Sequence, residues 1–139
     1  MRNICKVIAL LYAFWGVTGT AAAENYSGLN VIAPSASFDD VSRTYSSMNA
    51  TYVRYGKNMT VDQVRKVSLG QYKSDVTGVL GKPISANNDG SWYYEINLPY
   101  RTKNKFVCQY RVYFDDTDKV TATVWRRHQC ADLVTGKLD

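Results

Sequence analysis

His128 is the only histidine in this 139-residue chain, and it stands two residues before Cys130. Together with Cys108 these side chains include the ligand types that zinc prefers. A structural zinc site, however, takes four ligands at closer spacing. A serine hydrolase would use His128 as its base, but no nucleophile elbow of the Gly-x-Ser-x-Gly kind is present. Asp115, Asp116 and Asp118 crowd together as calcium ligands do, yet the twelve-residue loop, its glycine and its closing glutamate are missing. A solvated hairpin turn accounts for these aspartates. Cleavage of cell-wall sugars would call for two carboxylates across a cleft, and Glu95 is the only glutamate besides Glu24. The expectation is a protein without catalytic residues, metal or cofactor.

Aromatic and arginine side chains offer a different chemistry. Tyr93, Tyr113 and Trp125 share one parity in their runs, and Arg111 and Arg127 share it too. Tyr, Trp and Arg on one exposed face form the composition of a binding hot spot. These five residues are the expected partner-binding set. The alternative is that the N-terminal segment or the C-terminal tail lies over them.

Strands must position such a face. Trp92, Tyr94, Ile96 and Leu98 alternate with Ser91, Tyr93, Glu95 and Asn97. Phe106, Cys108, Tyr110, Val112 and Phe114 alternate in the same way, and Val120, Ala122 and Val124 continue the pattern. Period-two alternation rich in aromatic and β-branched residues predicts half-buried antiparallel strands. Ahead of them, Thr60 to Gln63 has the form of a capping box, and Val61, Val64 and Val67 predict a helix over 61–67. A second helix is predicted over 73–80, closed by Gly81 and Pro83. The result is an α+β domain, two short helices packed on a three-stranded antiparallel meander.

The N-terminus reads as an export signal. Arg2 and Lys6 precede an apolar run from Val7 to Val17, and Ala21–Ala23 supply small residues for cleavage before Glu24. The run is too short to span a bilayer. Residues 1–23 are therefore expected to be a signal peptide, 24–58 a poorly structured segment, and 59–139 the folded domain. Loss of Arg2 and Lys6 lowers the formal net charge from +5 to +3. That mild excess is spread along the chain, unlike the basic face of a nucleic-acid binder, and no nucleic-acid partner is expected. Cys5 leaves with the signal, and it precedes the apolar run, so no lipid-anchor cysteine is expected. Cys108 and Cys130 remain, an even pair in an oxidising compartment, which suggests a disulfide; two buried thiols are the alternative.

The run from Val61 to Pro83, with Val79-Leu80-Gly81-Lys82-Pro83, followed by Trp92-Tyr93-Tyr94, resembles the SmpA/OmlA (BamE-like) family. Phe114-Asp115 through Val120 resembles that family's second hairpin. Cys108 to Asp115 and Trp125 to Ala131 look closer still to variants that carry a cysteine pair. The resemblance covers about residues 59–133. In departure from the pattern, Tyr72 replaces a hydroxyl helix cap and Asp118 a turn glycine. The resemblance implies a periplasmic or peripheral outer-membrane interaction module with envelope or outer-membrane protein partners. The alternative is a secreted inhibitor or specificity factor of an envelope enzyme, by fold analogy to β-lactamase inhibitor proteins.

Overall fold

A computed structural model of the chain describes residues 26–33, 38 and 56–138. The expected signal peptide and most of segment 24–58 lie outside the described residues. Chain order is β1 (Gly28–Ile32), β2 (Lys57–Asn58), α1 (Val61–Arg65), α2 (Lys73–Leu80), β3 (Ser85–Ala86), β4 (Trp92–Tyr100), β5 (Asn104–Phe114), β6 (Val120–Trp125) and α3 (His128–Thr135). The α+β class stands, but among the described residues the sheet has six strands rather than three, and there are three helices rather than two. Strand order is β1-β6-β5-β4-β2, with β3 added on β4. β4, β5 and β6 pair antiparallel in sequence order, while β1 runs parallel to β6 and β2 parallel to β4. Within segment 24–58, expected to be poorly structured, the described residues include two strands. Gly28–Ile32 and Lys57–Asn58 are strands, and Phe38 is fully buried.

Local chemistry explains the helices. The Thr60 hydroxyl accepts from the Gln63 amide at 3.0 Å, satisfying one orphan donor of α1. The Gln63 side chain does not return to complete the box. It donates instead to Val79 O at 2.8 Å and ties α1 to the end of α2. At α2 the Tyr72 side chain makes no cap, and Asp75 supplies the reciprocal half by accepting the Tyr72 amide at 2.9 Å. Gly81, at φ +77°, ends α2 in a conformation that a side chain would strain.

The apolar stripes of the helices, Val64, Val76, Leu80, Ala131 and Val134, close over Tyr94, Ile96, Leu98, Tyr110 and Val112. Each helix is too short to persist alone, so this burial is what holds it. Burial also pushes the Tyr94 and Tyr110 hydroxyls above the ordinary tyrosine value. After β6 the chain turns back as α3 and places Cys130 against Cys108 with their α-carbons 6.0 Å apart, bonded as a disulfide. Arg65 adds a second tie, its Nε donating to Val134 O at 2.6 Å. Among the described residues no helix is long and apolar enough to cross a membrane.

The β5–β6 turn is organised by Asp115. Its Oδ1 accepts from the Thr117 amide (2.8 Å), the Thr117 hydroxyl (2.7 Å) and the Lys119 amide (3.1 Å). Asp118 takes φ +63°, the left-handed conformation that aspartate tolerates in place of glycine. The Thr117 hydroxyl foremost, then the Lys119 amide, hold the Asp115 carboxyl below the usual aspartate value.

Two predictions follow from these links. Replacing both cysteines by alanine removes a cross-link over 22 residues and lowers unfolding stability by about 3 kcal/mol, measurable by urea denaturation. A carboxyl with a depressed folded pKa stabilises above its unfolded value and ceases to as pH falls through the folded one. The parent protein should thus melt above Asp115→Asn at neutral pH. The gap should close as the pH is lowered below the ordinary aspartate range; a gap independent of pH would refute the role given to the charge.

Candidate functional site

The face of the sheet opposite the helices carries most of the expected docking residues, and the structure separates them. In β4 and β5 the odd positions do face this side. Tyr93 lies opposite Arg111, and Glu95 opposite Gln109. The Tyr93 hydroxyl donates to Glu95 Oε1 at 2.7 Å, and Arg126 donates to Gln109 Oε1 at 2.8 Å. The Arg111 guanidinium sits 4.8 Å from the Phe38 ring and 5.7 Å from that of Tyr93, a cation between two aromatic faces.

The outer face is closed rather than open. Tyr93 and Arg111 are each 5% exposed, and Glu95, Asn97 and Gln109 are buried as well. The strands are therefore buried on both sides through their middles, not half-buried as their alternation predicts. Phe38, Ala33 and Tyr26 from the N-terminal segment pack here with Tyr93, Val124 and Tyr113. Of the two coverings the sequence left open, the N-terminal segment is the one found. Buried polar groups this dense need partners, yet among the described residues Asn97 Oδ1 and Gln109 Nε2 have no hydrogen-bond partner.

Trp125 is not on this face, which corrects the parity argument. Tyr113 pairs with Ala122 and Phe114 with Val120, leaving Thr121 as one extra residue in β6. A bulge of one residue inverts the facing of everything beyond it. Ala122 and Val124 turn outward, and Trp125 turns into the helix-side core, fully buried, its ring 4.2 Å from Tyr110. Its Nε1 donates to Asn30 Oδ1 at 2.9 Å. Of the expected five, Tyr113 is half-buried with its ring 5.4 Å from Tyr26, and Arg127 is exposed just before α3. The structure thus groups Tyr93, Arg111 and Tyr113, and it sets Trp125 and Arg127 apart from them.

Two accessible regions escaped the sequence argument. Leu69 and Tyr72, each about half exposed, project from the connection between α1 and α2. That connection is bonded to β6 through Gly70 N to Val120 O and Val120 N to Gln71 O, both 2.8 Å. Lys119 lies 5.3 Å over the Tyr72 ring, and Lys73 pairs with Asp118 at 3.0 Å beside Trp92 and Phe114. The departure of Tyr72 from a hydroxyl cap was the available signal. The second region is an open cavity of about 500 Å³ where the β4–β5 turn approaches the start of α1. Asn58, Gln63 and Asn97 line it together with Arg101, Lys103 and Lys105. Among the described residues no three His, Cys, Asp or Glu side chains gather as a metal site would require.

Phe38→Ala removes a fully buried ring from the outer face. It should cost about 3 kcal/mol in urea unfolding, and a loss under ~0.5 kcal/mol, the surface-substitution range, would mean that the ring does not close this face in solution.

Against known proteins, residues 56–123 match the family model described as outer membrane protein assembly factor BamE domain. The matched stretch runs from the start of β2 into β6. No curated protein matches the chain.

Proposed function

With residues 56–123 carrying a domain of the outer membrane protein assembly factor BamE family, we propose that the chain is a non-enzymatic interaction module of the cell envelope. It works in the periplasm or against the outer membrane and binds a protein component of outer-membrane protein assembly. The domain match carries this proposal. The fold supports it in a plain way, as a rigid sheet clamped on both faces that presents its chemistry at turns and rims.

Within the expected docking set the roles divide. Arg127 and the accessible part of Tyr113 make contact with the partner. Tyr93 and Arg111 hold the N-terminal segment on the sheet, and Trp125 holds the core. Arginine and tyrosine at a rim are suited to that work because each offers apolar area together with a hydrogen-bonding head.

Affinity capture from crosslinked, detergent-solubilised envelopes, read by mass spectrometry, tests the proposal. The tagged protein should recover outer-membrane assembly components. An Arg127→Glu variant should recover about tenfold less, the equivalent of roughly 1.4 kcal/mol, while its melting temperature holds. Recovery of a single soluble enzyme, or of nothing above background, would overturn it.

A further inference from the structure

The β4–β5 turn gathers basic side chains. Arg101, Lys103 and Lys105 fall within five residues, and all three line the cavity beside α1. Among the described residues no acidic side chain lines it. Several cations elsewhere are answered. Lys73 has Asp118 at 3.0 Å, Arg65 has Asp62 at 3.4 Å, and Lys57 donates to Leu80 O at 3.3 Å.

The turn is also held in an unfavourable backbone state. Arg101 takes φ +56° without being glycine or asparagine, which is the kind of outlier that marks functional positions. Its guanidinium is braced 5.0 Å over the Tyr100 ring, and that ring stacks on Phe106 at 4.8 Å. The cations therefore stand on a stiff aromatic base rather than on a loose loop.

The remaining lining narrows the ligand. Asn58, Gln63, Asn97 and Asn104 line the same cavity, with Met59 and Pro99 as its apolar part; Gln63 and Asn97 donate within the fold, to Val79 O and to Gly56 O and Asn58 Oδ1, and keep their amide oxygens as acceptors. Amide side chains offer donors and acceptors together, the complement of a peptide backbone. A bare phosphate has no use for acceptors. A cavity of about 500 Å³ also exceeds a single small anion.

We propose that this cavity is a docking site for an acidic peptide segment of a partner protein. Aspartate or glutamate side chains pair with Arg101, Lys103 and Lys105, and the segment's backbone meets the amides. The proposal rests on the chain being an interaction module and names the chemistry of one contact that module makes.

Fluorescence anisotropy of labelled hexa-aspartate with the signal-free protein is the test. Binding should saturate at about 50 mM salt and weaken several-fold by about 200 mM, as screening of exposed charges requires. Lys103→Gln/Lys105→Gln should weaken it several-fold at unchanged melting temperature, and adding Arg101→Gln should bring the loss to about tenfold. Lys82→Gln/Lys137→Gln, exposed residues outside the cavity lining with the same change in net charge, should leave it within twofold. Equal loss in both double variants would overturn the site in favour of overall charge. So would vesicles of anionic phospholipid binding through the same lysines while the peptide does not. Undiminished envelope capture by the triple variant would overturn this contact alone and leave the proposed function standing.

Discussion

Thr121 enters β6 as one residue more than β5 can pair, and much of the architecture depends on that surplus. Before it, Val120 faces the helices; after it, Thr123 and Trp125 do. The inversion brings the Trp125 ring onto Tyr110 and its indole nitrogen to Asn30. Asn30, at φ +56°, also donates its amide to the Thr123 hydroxyl at 2.8 Å. β1 is thus seated on β6 by side chains that would stand on the opposite face of an unbulged strand. The same inversion puts Val124 under Phe38 and Tyr93, so the outer face acquires an apolar centre.

The chain's exit from β6 follows from the same geometry. Arg126 remains on the sheet through its amide to Gln109 O at 3.1 Å, and α3 then starts with its buried side turned to the core. Cys130, Ala131 and Val134 form that side, and the disulfide fastens it beneath α1. The BamE-family match ends at residue 123. Trp125, α3, Cys130 and β1 all lie outside it, so the family segment is braced here by parts at both ends of the chain.

Much of this was legible from residue order. The hydroxyl cap at Thr60, the Gly81–Pro83 stop and the alternation from Trp92 to Phe114 locate α1, α2, β4 and β5 closely, because each rests on local chemistry. The pairing of Cys108 with Cys130 required only that the tail fold back. What could not be read depends on contacts distant in sequence. β1 has five residues and a partner strand more than ninety positions away. The bulge leaves no mark, since Thr121 looks like any exposed strand residue, yet it moved Trp125 from the expected docking set into the core. Buried Glu95, Gln109 and Arg111 read as solvent-facing because alternation reports polarity and not the covering that Phe38 and its neighbours provide.

The parallel seating of β1 on β6 has a temporal side. The hydrogen bond from Asn30 to Thr123 spans 93 residues. A chain synthesised from its N-terminus releases β1 early and its partner strand β6 close to last. Until β6 is complete, Leu29, Val31 and Ile32 have nothing of their own to pair with, and loop closure of that length slows the final step. The same segment that ends as a clasp is therefore made early and seated late.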